Sequence, residues 1–395
     1  MNKITDKRND NIICLMAVGD VMLGREVGRR IDEEGPDWVF SEVKHLLEKA
    51  DLVIGNLECP IIDDQNLPSS RAKVPLRASR ESIKALQLGN FSIMTIGNNH
   101  ILDFGEEGLS NTLNVLKSDQ IHHVGAGRNI SEARRPLKLG IKGLRLGFLS
   151  YSSSYNANKA TPGTAPLDPR SIKKDISELK KDSDIIIVSL HHGVEYADYP
   201  TPGFIKLARE LIDSGARVVL GHHPHVLQGV EEYKNGIIAY SLGNFVFDLA
   251  DEKLRKSAYE GCVLAQKYGI RFEANDNRVS ESMVLEIGLD GSGLSTHQIH
   301  PIVLRQDLRP APMEDKEGAR LVKRLRELTN NIGNDSMAIN QALAKLETDS
   351  ALNYLTDRKM TYYFRHLGKL RFYHLSMMAH VIKTKLRDIS LFRSR

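Results

Sequence analysis

Six short segments of this chain each end an apolar run and then release polar side chains of a metal-binding kind. They are Gly19-Asp20, Asn56-Leu57-Glu58, Asn98-Asn99-His100 followed by Asp103, His191-His192, His223-Pro224-His225 and Gly243-Asn244. Carboxylate, imidazole and amide oxygen without thiolate suit a borderline divalent cation such as Mn²⁺, Zn²⁺ or Fe²⁺, and not a structural zinc site. Each segment alone is ambiguous. Asp20 could cap a helix that begins near Met22, and Asn56 and Glu58 could close a local turn. Their joint occurrence at strand ends points to one polar pocket at the carboxyl edge of a sheet, where open α/β folds bind ligands. His223 and His225 are alternate residues of what reads as an extended segment stiffened by Pro224, so both imidazoles are expected on one side. His191 and His192 are adjacent, so one of them faces the pocket, and His191 is the one expected there.

These residues need elements to carry them. Apolar runs at Ile12–Val18, Leu52–Ile54, Phe91–Ile96, Leu144–Leu149, Ile185–Leu190, Arg217–Leu220 and Ile237–Leu242 alternate with amphipathic stretches. Those stretches are Trp38–Lys49, Ser79–Leu88, Gly105–Ser118, Ser171–Lys180 and Gly203–Ser214. The alternation predicts β-α-β units and a mostly parallel sheet. From Tyr259 to Val303 the texture changes to strands without helices between them, at Cys262–Lys267, Ser282–Ile287 and Leu294–Ile299. That reads as an antiparallel addition forming a second sheet packed on the first. Pro301, Pro310 and Pro312 punctuate a connector, and from Glu314 the chain is polar and helix-rich, with Leu321, Leu325 and Leu328 at helical spacing. The stretch from Arg358 to Arg395 is basic and carries Tyr362, Tyr363, Phe364, Phe372 and Tyr373 among its charges. Such a tail suits docking on anionic lipid or on a membrane-bound partner, or packing on its own domain as a helical appendage.

Composition narrows the classes. A chain of 395 residues with 41% apolar content can bury a large core. Its 54 basic and 50 acidic residues give a net charge of +4, and aromatics are sparse, so no nucleic-acid partner is expected. Cys14, Cys59 and Cys262 show neither disulfide nor zinc-knuckle spacing, which fits a reducing compartment. No apolar run approaches the roughly 20 residues that span a bilayer, and Ile12–Val18 is short for a signal-peptide core. The expected location is the cytoplasm, or its membrane surface.

The motifs Gly19-Asp20-Val21-Met22-Leu23-Gly24-Arg25, Asn56-Leu57-Glu58, Asn98 through Leu109, Gly125-Ala126-Gly127, His191 through Tyr196, His223 through Gln228 and Ser241 through Phe245 resemble, in order, the CapA family. These are capsule synthesis or poly-gamma-glutamate biosynthesis proteins. The resemblance runs from about Ile12 to Pro312, so a CapA-type domain is expected over 12–312, with a helical basic extension over 313–395. That family is similar to the calcineurin-like metallophosphoesterases, which implies a four-layer α/β/β/α sandwich around one or two divalent metal ions. The resemblance implies metal ligation by Asp20, Asn99, His191, His223 and His225, with Asn56 and Glu58 in the second motif, and a catalytic role for His100. There are departures. Metallophosphoesterases carry Asp-x-His at the first motif, where this chain has Met22, and a bridging aspartate at the second, where it has Asn56-Leu57-Glu58. One metal position is therefore expected to be weaker or differently ligated.

The chemistry that follows is hydrolysis. Metal-bound hydroxide would attack a phosphoester or an amide while His100, oriented by Asp103, protonates the leaving group. Arg25 would clamp an anionic group through its guanidinium fork, or form a surface salt bridge. Glu195 and Asn244 are expected to line the substrate site. The substrate expected is an anionic polymer or its phosphorylated precursor, with a membrane-bound synthase or the membrane surface as partner of the tail. The rival expectation is a non-catalytic accessory subunit of a cell-envelope polymer synthesis complex.

Overall fold

The computed structural model describes residues 11–63, 67–69, 75–248, 277–334 and 341–347. The strands of its two large sheets are β1 (Ile13–Val21), β2 (Leu52–Leu57), β3 (Ile93–Thr95), β4 (His122–Val124), β5 (Leu137–Ile141), β6 (Leu144–Ser152), β7 (Ile185–His191), β8 (Val218–His222), β9 (Val230–Tyr233), β10 (Gly236–Ala239), β11 (Asn244–Val246), β12 (Glu281–Asp290), β13 (Gly293–Leu304) and β14 (Pro310–Pro312). The longer helices are α1 (Arg25–Glu34), α2 (Ser82–Leu88), α3 (Gly105–Ser118), α4 (Pro169–Leu179), α5 (Pro202–Ser214) and α6 (Asp315–Asn330).

The first sheet runs β14-β13-β12-β1-β2-β3-β4, with β11 also paired to β1, and the second runs β9-β10-β8-β7-β6-β5. A separate two-stranded ribbon pairs Ala126–Gly127 with Gly163–Thr164. Side-chain parity builds the layers. Along β1, Ile13, Leu15 and Ala17 enter the core between the sheets, while Cys14, Met16 and Val18 enter the core on the other side. Along β7, Ile185 and Ile187 face the inter-sheet core, and Ile186, Val188 and Leu190 face outward. Helices α1, α2 and α3 cover the first sheet through Val27, Ile83 and Leu109. Helices α4 and α5 cover the second through Ile176 and Leu211. The architecture is the four-layer α/β/β/α sandwich that was expected.

Two expectations need correction. The strands after residue 280 do not make the second sheet. β12 lies antiparallel on β1, from Ile13 opposite Leu289 to Ala17 opposite Leu285, and β13 and β14 extend the same sheet. The second sheet comes instead from β5 to β10. Period-2 patterning marks a strand, but it says nothing about which edge the strand joins. The helix expected over Trp38–Lys49 contracts to one turn, Lys44–Leu47. The expected strand Cys262–Lys267 and the basic stretch from Arg358 lie outside the described residues.

The boundary expected after residue 312 falls between β14 and α6. Beyond it, α6 buries Leu321, Leu325 and Leu328 in the inter-sheet core, and Thr329 Oγ1 accepts the Val230 N–H of edge strand β9 at 3.0 Å. Replacing a fully buried leucine by alanine costs about 2–5 kcal/mol. Leu325→Ala should therefore lower the free energy of urea unfolding by that amount. A change within about 0.5 kcal/mol, the range of surface substitutions, would make this helix peripheral.

Candidate functional site

Strand register assembles the site. Parallel pairing of β1 with β2 sets Asp20 opposite Asn56, and pairing with β11 sets Asp20 opposite Asn244. In the second sheet, His191 lies opposite His222. Two glycines permit the approach. A Cβ on Gly19 would fall 1.9 Å from the Gly243 carbonyl oxygen, and one on Gly221 would fall 1.9 Å from that of Tyr240. Each precedes a polar residue of the site, so the backbone closes up just where the side chains must converge.

Five of the expected ligands meet there. Glu58 Oε1 lies 3.7 Å from His191 Nε2 and 3.8 Å from His225 Nε2. Asp20 Oδ2 lies 3.6 Å from His225 Nδ1. Two overlapping sets could each hold a metal ion: Asp20, Glu58 and His191, and Glu58, His223 and His225, with donor atoms in each set within 4.8 Å of one another. Glu58 is common to both. Asn99 Oδ1 sits 2.6 Å from His191 Nε2. His223 and His225 reach the site by a different route from the extended segment expected. Their φ angles are 99° and 59°, both left-handed, so a tight loop and not strand alternation brings the rings to a centroid distance of 6.0 Å.

The amides have other roles. Asn98 Oδ1 accepts the backbone N–H groups of His100 and Ile101, at 3.0 Å each, so its Nδ2 must donate, and it does so to Leu57 O and Asn56 Oδ1. That fixes Asn56 in turn, with its Nδ2 donating to Asp20 Oδ1 at 2.8 Å and facing Glu58 Oε2 at 3.4 Å. An NH₂ group cannot coordinate a cation. Asn56, expected as a ligand, is a clamp on the carboxylates. Asn244, expected at the substrate, is fully buried. Its Nδ2 donates to the His225 and Val279 carbonyls, so its Oδ1 accepts from His225 Nδ1 at 2.9 Å. His225 Nε2 then presents a lone pair toward Glu58 Oε1. Metal-ligating histidines are commonly oriented in this way.

The remaining expected residues lie around this group. His100 Nδ1 is 2.8 Å from Asp103 Oδ2, which also accepts the Leu76 N–H at 2.8 Å. Arg25 closes its fork on buried Asp248, with Nε–Oδ2 at 2.6 Å and Nη2–Oδ1 at 2.5 Å, so these donors serve an ion pair. Glu195 is partly exposed, and its charge acts on both His223 and Glu58. His192 turns away and packs against Phe204 in a tilted arrangement, centroids 5.5 Å apart. One residue escaped the sequence reading. His222 is buried with Nδ1 3.2 Å from Asp20 Oδ1. Its position directly after Gly221 at a strand end was the available signal.

Electrostatics explain why a cation fits. Burial, and then the charge of Asp20, raise the Glu58 carboxyl well above its ordinary pKa. Burial would raise Asp20 too, but the His222 hydrogen bond and the charges of His222, His225 and His191 hold it below the usual carboxylate range. Burial first, and the neighbouring His223 second, depress His191 far below an ordinary imidazole. Glu58 Oε1 and His223 Nδ1 are buried without a hydrogen-bond partner. Among the described residues, every ion-pair partner of Asp20 and Glu58 is a histidine. Two acceptors facing each other, Glu58 Oε1 and His225 Nε2, are arranged as ligands of one cation. The donor set fits Mn²⁺, Zn²⁺ or Fe²⁺.

With that geometry in hand, comparison with known proteins adds a lineage. Residues 14–249 match the family described as bacterial capsule synthesis protein PGA_cap. The chain is 36% identical over 279 residues to the PGA biosynthesis protein CapA of Bacillus subtilis, covering 69% of this chain and 73% of that protein. It is 34% identical over 261 residues to the capsule biosynthesis protein CapA of Bacillus anthracis, covering 64% of each. A solved structure described as a novel phosphatase from Mycoplasma pneumoniae aligns with 74% of this chain and 94% of its own, at 17% identity and a TM-score of 0.48.

The geometry predicts a metal stoichiometry. Saturated with Mn²⁺ and desalted, the wild type should retain two equivalents by elemental analysis. His191→Ala and His225→Ala should each lose one, and Glu58→Gln should lose both; equal content in all four proteins would remove the site as drawn. A pH dependence also follows. Burial, and then the charge of His223, push the His192 pKa down to about 4 from 6.5. Between those values the unfolded chain binds a proton that the folded chain refuses, so stability rises with pH across the window and is lost on acidification through it. The loss has an upper limit of roughly 3 kcal/mol at 1.36 kcal/mol per unit. In EDTA, urea midpoints measured between pH 7 and pH 4 should fall, and His192→Gln should flatten the fall. A slope unchanged by that substitution would contradict the assignment.

Proposed function

This chain belongs to the bacterial capsule synthesis protein family, and from that premise we propose that it is a metal-dependent hydrolase in the synthesis of an anionic polymer of the capsule or poly-gamma-glutamate type. The observation that carries the proposal is the carboxylate of Glu58, common to two sets of metal-type donors, buried and without a hydrogen bond on Oε1. The names of the two Bacillus relatives, which refer to PGA and capsule biosynthesis, support the polymer context.

A divalent cation bound by these residues supplies Lewis acidity to a phosphoryl or carbonyl oxygen and lowers the pKa of a coordinated water. The protein's own groups do the rest. Asp20, Glu58, His191, His223 and His225 form the cage, with Asn99 beside His191. Asn56 and Asn244 hold the cage members in their rotamers. His100 stands at the rim, its side chain 20% exposed while Asp103 is 1% exposed. Because Nδ1 is engaged by Asp103, Nε2 is the atom free to give a proton to a leaving oxygen or nitrogen. Glu195 walls the cleft. The substrate is a phosphoester of a precursor or an amide of the polymer. The stretch from Arg358 to Arg395 is proposed to dock on a membrane-bound synthase or anionic lipid. No helix among the described residues is long and apolar enough to cross a membrane.

The test is turnover of chromogenic phosphomonoester, phosphodiester and gamma-glutamyl anilide substrates by the Mn²⁺- or Zn²⁺-loaded protein. Activity should vanish in EDTA and return with metal. His100→Ala should lower kcat by about 10²–10⁴-fold at unchanged metal content, the usual size of a general-acid contribution. A metal-loaded protein without turnover on any of the three would instead be the non-catalytic accessory subunit.

A further inference from the structure

The loop from Gly193 to Tyr199 walls the cage and is held in an unfavourable shape. Tyr196 has φ 63°, a left-handed value that an aromatic residue keeps only where its surroundings impose it. The Tyr196 N–H donates to the Pro224 carbonyl at 2.8 Å, between the two ligand histidines, and its ring lies 6.1 Å from that of His225. A Cβ on Gly193 would fall 2.9 Å from Pro224 Cγ, so the two loops are nested. Glu195 rides on the same loop.

Gln228 Nε2 also donates to the Ala197 carbonyl at 2.9 Å, and further support comes from residues beyond the 14–249 family match. Asp198 Oδ1 receives Arg324 Nη2 at 2.8 Å and Arg278 Nη1 at 2.9 Å. Arg278 Nη1 also reaches the Tyr196 carbonyl at 3.4 Å. The other arm of the Arg324 fork is bonded to Glu281, at the start of β12. Helix α6, which carries Arg324, is itself seated by Leu321, Leu325 and Leu328 in the inter-sheet core. The outer end of the strap is thus part of the core.

We propose that Arg324 and Arg278 are positioning residues that strap the Gly193–Tyr199 loop onto the His223-Pro224-His225 loop through Asp198, and so set the metal affinity of the Glu58, His223 and His225 half of the centre. This rests on the metal-centre reading given above. Helix α6 is on this view a working part of the site and not an appendage. The role is selective. Asp20 and His191 stand on β1 and β7, where register holds them without the strap.

The experiment compares the full chain with Arg324→Met, which keeps an apolar stem and removes the fork, and with Ile176→Ala, which opens a cavity between helix α4 and the outer face of the second sheet, in a core cluster that includes none of the strap residues. Chelator competition with Mn²⁺ should show the affinity of one of two equivalents falling about 10–100-fold in Arg324→Met, the usual effect of losing a group that orients a ligand. The other equivalent, and both equivalents of Ile176→Ala, should be unchanged. Hydrogen exchange in EDTA supplies a readout that needs no metal. The Tyr196 amide should exchange about tenfold faster in Arg324→Met and at the wild-type rate in Ile176→Ala. Faster exchange in Arg324→Met from a wild type that binds no Mn²⁺ would keep the strap and overturn the metal reading and the affinity role built on it. Two equivalents bound alike in both variants, with equal Tyr196 exchange, would overturn the strap and leave the metal centre standing.

Discussion

Two carboxylates, Asp20 and Glu58, are buried side by side at the top of this sandwich with no lysine or arginine paired to either among the described residues. Burying an unpaired charge is among the costliest things a fold can do, and the usual escapes are protonation, pairing or a bound cation. Much of the local architecture is intelligible as a way of making the third escape available. Burial depresses the pKa of His191 and of His223, which favours the neutral rings whose lone pairs serve as ligands. The close approaches at Gly19 and Gly221 bring the strand ends near enough to share one centre. Parallel register then sets Asp20 beside Asn56 and Asn244 without any loop having to carry them.

The amides complete that arrangement. A carboxylate in a dry site keeps its rotamer only if its free lone pairs are satisfied, and a second cationic group would compete with a metal. Carboxamides supply hydrogen bonds without charge. Asn98 orients Asn56, Asn56 holds Asp20, and Asn244 fixes the protonated nitrogen of His225. This chain of donors begins at the backbone N–H groups of His100 and Ile101, in the same turn that presents the His100–Asp103 pair. The general-acid side and the cage side of the site are therefore built on one hydrogen-bonded frame.

Among the described residues the second sheet is joined to the first through packing, not through strand pairing. Its contribution of His191 and of the His222–His225 loop depends on the inter-sheet core, which α6 completes from beyond the family-matched residues. That dependence makes the helix after Glu314 part of the structure that aims the histidines.

The sequence by itself determined the chemistry of the donors and the alternation of elements. Asp20, Glu58, His191, His223 and His225 are each visible where an apolar run stops, because strand ends expose the next residues to whatever lies above the sheet. The family was legible for the same reason, since its motifs are those strand ends. Three things were decided only by tertiary structure. Whether β12 and β13 extended the first sheet or formed another depended on edge availability, which a period-2 pattern does not encode. Whether Asn56 and Asn244 bound a ligand or a neighbour depended on hydrogen bonds from Asn98 and His225, residues 42 and 19 positions away. The left-handed turn at His223 and His225 lies against the Gly193–Tyr199 loop, whose Tyr196 N–H donates to the Pro224 carbonyl, and no local preference for positive φ at histidine beside proline is strong enough to be read from the chain. Residue type fixed what each group could bind; long-range contacts fixed which atom it turned toward the centre.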